Sequence, residues 1–416
     1  MTHSVEETIT LNSNAAPTKP QGSIGRILGF AFFGLCLVLV VTAYAFTHPM
    51  EDFIAYWTAA HLLVAHQNPY SLGEVFRFQQ RLGWREPIPL VALNPPWTLP
   101  FFAPLGLTQS YALAWLGWVA ALTCAIAFSS RMLMDLYFGG LRLPEISDTT
   151  LYRCLFALTF YPVLLSLKFA QTVPIVLLGT AGFLFFECKR RPILAGVLFG
   201  LTAVKPNLVY LVWLALLFQS FQRRRWKMLA SAAGAIAALT AIALIMDPHS
   251  ISQYRVLASS PLPRVLMPGM AGAIRSVFAG RDIFWLQFVP PIGGVIWFAF
   301  YWRKHRQNWK WTERMPALVT ASLLSTSWGY MFDQTLLAIP IIALAGQHAN
   351  SLGRLPRNLV ILYTALNIAL ILLGMASSPW SFVPAPIVIA FLLYREARDG
   401  NAFSSGVRYG YIGGHS

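Results

Sequence analysis

Long apolar runs constrain this chain more than any other feature. A helix that crosses a bilayer needs about 20 mostly apolar residues, because each residue rises about 1.5 Å through a hydrocarbon core about 30 Å thick. We therefore predict an all-α polytopic membrane protein with about twelve transmembrane helices. The predicted spans, several of them short, are residues 27–47, 108–130, 151–167, 173–187, 192–204, 208–218, 228–246, 283–302, 316–327, 334–345, 359–376 and 383–394.

The composition excludes a set of soluble domains of the same length. Hydrophobic residues make up 56% of the chain and charged residues 11%, whereas soluble domains contain roughly 25% charged residues. A soluble protein could not cover this much apolar surface with a polar shell. Neither a disulfide framework nor a zinc site is indicated, because the four cysteines form no CxxC pair.

The basic residues predict the orientation of the chain. A net charge of +15 would suit a nucleic-acid partner, but the lysines and arginines lie in short clusters between apolar runs and could not line one groove. Of the 31 basic residues, 22 fall in segments that a cytoplasmic N-terminus would put inside, and 9 fall outside. This bias follows the positive-inside rule. It predicts a membrane domain over residues 26–394 between two cytoplasmic tails, residues 1–25 and 395–416, and no nucleic-acid partner.

Two outside segments, residues 48–107 and 247–282, are too long to be simple turns. Both are rich in proline, aromatic and polar residues. Long ordered loops beside a helical scaffold are where binding and catalytic groups concentrate. We therefore expect the functional residues in these two outer loops and at the outer ends of the spans.

An acidic pair, Glu51 and Asp52, opens the first outer loop just before a run that is compatible with a helix. Asp52 and Tyr56 would share one helix face. One interpretation is capping of a helix that lies in the membrane interface, since carboxylates are favoured at the positive end of the helix dipole. The other is a general base at the membrane surface, with Tyr56 and Trp57 near a sugar or lipid. Capping and catalysis are compatible.

Later in the same loop, four prolines within residues 94–104 rule out an ordinary helix. Irregular backbone at membrane depth must be buried in protein or line a cavity. The segment is therefore either a structural plug or part of a binding site. The candidate lining residues in this loop are Asn68, Tyr70, Asn94 and Trp97.

Several polar residues lie at predicted span ends on the same side as Asp52. They are Lys168, Gln171, Lys205, Trp328, Tyr330 and Asp333. Ionisable residues at membrane depth are costly and are therefore candidates for function. Lys205 could instead snorkel to the interface. Arg264 and the other arginines of residues 247–282 could bind a phosphate or an anionic acceptor, or simply contact anionic headgroups.

Familiar metal and nucleotide motifs are missing from the sequence. His61 and His66 are five residues apart and would face different sides of a helix, and there is no HExxH, GxSxG or Walker loop. We predict no metal site and no cofactor.

Several short motifs, in this order and spacing, resemble the polytopic glycosyltransferases of family 87. The resemblance runs from about residue 27 to 345. The motifs are Asp52-Phe53-x-x-Tyr56-Trp57, Asn68-Pro69-Tyr70, Asn94-Pro95-Pro96-Trp97, Gln171, Ala195-Gly196 leading to Lys205-Pro206, and Trp328 with Tyr330 and Asp333.

This resemblance implies a GT-C fold, in which a membrane bundle has its active site at the outer face, beneath a long loop with juxtamembrane helices. It implies a polyprenyl-phosphate sugar donor, commonly the mannose form, and a lipid or glycan acceptor in the cell envelope. The family's catalytic Asp maps onto Asp52. Lys205, Gln171, Lys168 and Arg264 are then candidates for the donor phosphate. The two-acid DxD of some related families is missing, which argues against dependence on a divalent metal.

Such an enzyme would lie in a bacterial-type inner or plasma membrane. Two other functions compete with this interpretation. A transporter of a polyprenyl-linked lipid would use Asp52, Lys205 and Asp333 near mid-membrane and make no covalent product. A scaffold subunit of an envelope-assembly complex would tolerate the loss of Asp52.

Overall fold

The computed structural model describes residues 52–138, 159–262, 265, 267–278, 283–352, 357–375 and 378–398. In these ranges all regular structure is helical, without a strand. The chain is thus a helical membrane protein, as its apolar runs predict. The predictions for residues 1–25 and 27–47, for Glu51, for Arg264 and for residues 399–416 lie outside the described residues.

Fifteen α-helices of eight residues or more form the described bundle. They are α1 (Phe53–Val64), α2 (Leu72–Arg81), α3 (Tyr111–Phe138), α4 (Tyr161–Lys168), α5 (Val173–Cys188), α6 (Pro192–Gly200), α7 (Tyr210–Arg223), α8 (Trp226–Met246), α9 (Ser250–Ala258), α10 (Met270–Phe278), α11 (Val289–His305), α12 (Trp311–Leu324), α13 (Ala338–Leu352), α14 (Arg357–Met375) and α15 (Pro384–Arg398).

Short helical turns interrupt or extend this series. The four-residue α-helix Leu99–Phe102 lies between two 3-10 turns. The 3-10 turns are Pro96–Thr98, Ala103–Leu107, Leu201–Val204, Pro206–Val209, Phe284–Phe288, Met331–Leu337 and Pro379–Phe382.

Four helical segments of the described chain are long and apolar enough to cross a membrane. They are Tyr111–Phe138, Trp226–Met246, Phe284–His305 and Pro379–Arg398. Shorter apolar helices, including α1 and α5, pack among them. The total of about twelve spans therefore stays a prediction.

Several predicted boundaries were wrong. The span predicted at 208–218 begins as a 3-10 turn and becomes α-helical at Tyr210, and the span predicted at 334–345 likewise begins as the 3-10 turn Met331–Leu337. The span predicted at 316–327 is α12, which starts earlier, at Trp311, and ends at Leu324. Helix α15 continues to Arg398, beyond the predicted end at 394. Hydropathy locates apolar segments but does not detect the hydrogen-bonding pattern within them.

Small residues bring helices α6 and α8 close together. A Cβ at Gly196 would overlap the carbonyl oxygen of Met228 and the hydroxyl of Ser231, and one at Gly200 would lie 2.8 Å from the Cβ of Ala235. This Gly-xxx-Gly spacing on α6 lets two backbones approach, which is how helices gain contact where water does not drive their association.

Both predicted outer loops contain helices. Helix α1 is buried along most of its length, at ten of its twelve residues, so it packs within the protein, and its position in the membrane interface stays a prediction. The proline-rich segment packs against it. A Cβ at Gly106 would lie only 2.6 Å from the carbonyl oxygen of Ala60, so this close approach requires glycine.

Candidate active site

A cavity of about 550 Å³ opens at one end of the bundle, between the two predicted loops. Its size is typical of a small-molecule site. Its walls combine two carboxylates, one lysine and several aromatic rings. The polar and aromatic lining residues are Asp52, Tyr56, Asn94, Gln171, Lys205, Asn207, Tyr254, Trp328, Tyr330, Phe332 and Asp333.

Asp52 stands at the start of α1, but its side chain makes no capping hydrogen bond. Oδ2 of Asp52 instead accepts a hydrogen bond of 2.7 Å from Nε2 of Gln171, which is 119 residues away in the chain. Asp52 forms no ion pair with a described residue. The capping role suggested by its position was therefore wrong, and the carboxylate is available to the cavity.

Gln171 connects three polar side chains. Its Oε1 accepts hydrogen bonds from the hydroxyl of Tyr56 at 3.0 Å and from Nζ of Lys205 at 3.1 Å. Its Nε2 donates to Asp52. Only the amide oxygen can accept from an ammonium and only the amide nitrogen can donate to a carboxylate, so these neighbours fix the orientation of the amide.

The backbone before Gln171 is held in an uncommon conformation. Ala170 has φ of 51°, in the left-handed region that most residues avoid. Its carbonyl oxygen accepts a hydrogen bond of 2.8 Å from the indole of Trp118 on α3. The turn between α4 and α5 thereby directs Gln171 into the cavity, and such strained residues cluster at functional sites.

Lys205 lies at a break between two 3-10 turns, Leu201–Val204 and Pro206–Val209. Pro206 has no N–H to donate, so a continuous helix is disfavoured here. Nζ of Lys205 lies 2.8 Å from Oδ1 of Asp333, whose side chain is only 4% exposed. The interpretation of Lys205 as a side chain that snorkels to the interface was wrong, because its ammonium is bound inside the cavity.

The other oxygen of Asp333 orders its own segment. Oδ2 accepts a hydrogen bond of 2.9 Å from the backbone N–H of Tyr330, at the start of the turn Met331–Leu337. The rings of Tyr330 and Phe332 stack with centroids 5.0 Å apart. Nζ of Lys205 also lies 4.9 Å from the centroid of Phe332, so an aromatic wall flanks the ion pair.

The proline-rich segment is tied to the break at Lys205. The side chains of Asn94 and Trp97 donate to the carbonyl oxygens of Val204 and Ala203, at 3.2 and 2.8 Å. Tyr70 donates to the carbonyl of Asn94 at 3.1 Å. Residues 90–95 line the cavity, and the side chains of Asn94 and Trp97 satisfy carbonyls that the broken helix leaves open. The segment therefore packs as part of the structure, and its role in binding stays a prediction.

Burial controls the electrostatics of the cavity. It raises the pKa of the Asp52 carboxyl above its ordinary 3.8. The hydrogen bond from Gln171 and the charge of Lys205 lower the pKa of Asp52, and the charge of Asp333 raises it. Burial, followed by the charges of Asp52 and Asp333, raises the pKa of Tyr330 to about 12. The negative charges of Asp52 and Asp333 therefore both reach the Tyr330 hydroxyl.

Some of the predicted residues do not line the cavity. Trp57 packs against Tyr111 and Phe78 on another face of α1. Asn68 accepts from the N–H of Tyr70 in a local turn. Lys168 lies over the ring of Phe169. Tyr70 and Trp97 support the wall rather than form it.

Sequence reasoning missed Asn207, Tyr254 and Phe332. Asn207 follows the Lys205-Pro206 break and donates 2.7 Å to the carbonyl of Trp328, which joins two walls of the cavity. Phe332 stands inside the run from Trp328 to Asp333 and could have been found there. Tyr254 lies on α9 and has no comparable signal in the sequence.

The arrangement combines a carboxylate, an ammonium and an apolar surface. A carboxylate with raised pKa accepts a proton more readily than an ordinary one. An ammonium beside it stabilises negative charge. Among the described residues, no group of three His, Cys, Asp or Glu side chains could hold a metal ion, and the absence of a metal cofactor stays a prediction.

The sequence model of glycosyltransferase family 87 matches residues 92–326. This is more than half of the chain. The chain belongs to glycosyltransferase family 87. No curated protein and no solved structure matches it.

Membership in family 87 makes this membrane protein a glycosyltransferase, which acts on a sugar donor and an acceptor. The matched residues of the family 87 chain include Asn94, Gln171 and Lys205. They do not include Asp52 or Asp333, whose place in the site rests on the hydrogen bonds above.

Proposed function

We propose that this family 87 enzyme moves a hexose, mannose in the first instance, from a polyprenyl-phosphate donor to a hydroxyl of a lipid or glycan acceptor at the outer face of the membrane. One observation supports the proposal above the others. The Asp52 carboxylate lines a cavity, has no ion pair among the described residues and is oriented by Gln171, which also binds Lys205.

The reaction would be a single displacement. Asp52 takes the proton of the acceptor hydroxyl as that oxygen attacks the anomeric carbon. The bond between the anomeric carbon and the phosphate oxygen breaks, and its electron pair leaves with polyprenyl phosphate. Attack opposite the leaving group inverts the anomeric centre. Asp52 ends protonated and returns its proton to solvent.

Lys205 is suited to the leaving phosphate. An ammonium has three N–H donors. Two of them bind Asp333 and Gln171, which leaves one for a phosphate oxygen. The ion pair with Asp333 holds Nζ in place before the donor arrives, so little reorganisation is needed when negative charge develops.

The aromatic wall is suited to the sugar. Trp328, Tyr330 and Phe332 line the cavity beside Lys205. Ring faces provide apolar area with few rotatable bonds. A hexose between this wall and Asp52 would place its anomeric carbon between the base and the cation.

The test uses purified wild-type protein, Asp52→Asn and the control Asp247→Asn, which removes a carboxylate that does not line the cavity. Each is incubated with radiolabelled polyprenyl-phosphate-mannose and a membrane lipid extract. We expect labelled product from the wild type and the control, and a rate from Asp52→Asn that is about 10²- to 10⁴-fold lower, since a positioned base contributes a factor of that size. Donor binding should be retained.

Near-normal turnover of Asp52→Asn would refute the assignment of the base. Donor movement across a vesicle membrane without any labelled product would favour the competing transporter hypothesis instead.

A further inference from the structure

A second cavity, of about 700 Å³, lies at the other end of the same helices. We call this cavity the basic cleft, because its lining includes Arg190, Arg224, Arg225, Lys227 and Lys310. The topology predicted from the basic residues puts this end of the bundle in the cytoplasm.

Helices α5, α6, α7 and α12 connect the basic cleft to the candidate active site. Helix α5 runs from just after Gln171 at the site to Glu187 at the cleft. Its sixteen residues place the two cavities about 24 Å apart, at about 1.5 Å per residue. The basic cleft is therefore separate from the cavity that contains Asp52.

Positive charge in the basic cleft exceeds the negative charge that faces it. Arg225 pairs with Glu187 at 3.0 Å, and Lys310 pairs with Glu313 at 2.8 Å. Arg190, Arg224 and Lys227 are exposed and form no ion pair with a described residue. Three cations are thus left for an anionic ligand, and guanidinium groups match phosphate with paired N–H donors.

The backbone of the basic cleft is strained at two of these cations. Arg190 and Arg224 have φ of 55° and 52°. This left-handed conformation after a helix is normally occupied by glycine or asparagine. An arginine there costs stability that glycine would not, and strained residues of this kind cluster at functional sites.

Apolar residues flank the cations. Ile193, Trp226 and Phe221 are exposed next to the basic cleft in sequence. Trp311 also lines the cleft. Its indole N–H donates a hydrogen bond of 2.7 Å to Oε1 of Gln219, which fixes the ring. Charge beside apolar surface suits an amphiphile with a phosphate head.

We infer that the basic cleft binds a phosphate group through Arg190, Arg224 and Lys227. The same chemistry would serve the headgroup of an anionic lipid or a water-soluble diphosphate. The inference does not depend on the transfer reaction, because it concerns a different cavity.

The experiment measures binding in two arms, with intact protein in neutral detergent. One arm titrates phosphatidylglycerol against phosphatidylcholine and counts lipid adducts by native mass spectrometry. The other measures equilibrium binding of radiolabelled inorganic pyrophosphate. The variant is Arg190→Gln/Arg224→Gln/Lys227→Gln. The control, Arg303→Gln/Lys304→Gln/Arg306→Gln, removes three exposed cations that do not line the basic cleft.

We expect the cleft variant to lose at least tenfold in affinity in one arm, since each basic side chain near anionic lipid contributes about fivefold. The control should stay within about twofold of wild type. The arm that shows the loss identifies the source of the phosphate. Equal losses in both variants, or wild-type protein that binds neither probe, would overturn the inference.

A second variant separates binding from folding. Arg190→Gly/Arg224→Gly removes both guanidinium groups and relieves both left-handed residues. We expect its melting temperature to rise while phosphate binding falls. Binding at wild-type strength in this variant would also overturn the inference.

Discussion

The two ends of the helix bundle hold charge in different ways. At the candidate active site, Lys205 and Asp333 are mostly buried and paired at 2.8 Å, and Gln171 joins them to Asp52. At the basic cleft, Arg190 and Arg224 are exposed and have no ion pair with a described residue.

Desolvation explains the difference. A buried charge is costly unless partners satisfy it, so each ionised group at the site has a defined contact. The result is a fixed geometry that suits reaction at one carbon atom. Exposed arginines stay hydrated and can still change rotamer. They can therefore adapt to the shape of an anionic ligand. The same four helices thus provide a rigid end and an adaptable end.

The largest expected effect in this comparison comes from Lys205→Met. It removes the cation that we assign to the leaving phosphate and leaves Asp333 buried without its partner. We expect transfer to fall about 10²- to 10³-fold, as for loss of one charge-stabilising donor. The destabilisation should be about 3–5 kcal/mol, since a buried carboxylate is left unpaired. The measurements are the transfer rate and thermal unfolding in detergent.

The double variant Lys205→Met/Asp333→Asn distinguishes these two effects. It removes both charges of the pair, so most of the lost stability should return. The transfer rate should stay low, because no ammonium faces the phosphate. Recovery of activity together with stability would mean that Lys205 serves the fold only.

We expect Gln171→Leu to have a smaller effect and to lower kcat/KM about tenfold, the size expected for one lost hydrogen bond to a charged group. The substitution removes the hydrogen bond that orients the Asp52 carboxylate and lowers its pKa. The base must be ionised to act, so the rate of the wild type falls as the pH drops through the pKa of Asp52, which lies above 3.8. In Gln171→Leu this decline should begin at a higher pH.

The opposite shift is expected for Asp333→Asn, because the charge of Asp333 raises the pKa of Asp52. Its acid limb should move to lower pH. Profiles of kcat/KM from about pH 3 to about pH 8, which begin below the ordinary carboxyl pKa of about 3.9, measure both shifts. Identical acid limbs in the three proteins would argue that a group other than Asp52 titrates.

Part of the site could be predicted from the sequence. Apolar runs and the charge bias put Asp52, Lys205 and Asp333 on one side of the bundle, and the structure brings Lys205 and Asp333 into contact. The bridging role of Gln171 could not be predicted, since its contact with Asp52 spans 119 residues. Trp57 illustrates a different error. Adjacent helical residues point about 100° apart, so Tyr56 and Trp57 face different neighbours.

The fold, like the site, could be predicted only in part from the sequence. The apolar runs predict a helical membrane protein, but they do not predict the 3-10 turns Leu201–Val204 and Met331–Leu337. Most of their side chains are apolar, so hydropathy does not separate these turns from a helix. These turns differ from a helix in the donors that their carbonyl oxygens bind. The carbonyl of Ala203, for example, accepts from the indole of Trp97. Such donors come from distant parts of the chain, so they depend on tertiary structure.

The smallest effect is expected from Gly196→Ala, which tests whether helix α6 couples the two ends of the bundle. Helix α6 runs from the basic cleft to the break before Lys205 and packs closely on α8 through Gly196. A Cβ at Gly196 would meet the backbone of Met228, which cannot move away as a flexible side chain would. Gly196→Ala should therefore separate the helices and cost about 1–3 kcal/mol.

Gly234→Ala is the matched control, because a Cβ at Gly234 on the same α8 would meet nothing within 4 Å. It should be neutral or slightly stabilising, since alanine favours helix over glycine. Thermal unfolding in detergent compares the two variants. If α6 couples the ends, Gly196→Ala should weaken transfer and phosphate binding by similar small factors. A loss confined to one end would show that each cavity is held by its own contacts, independently of the helix that joins them.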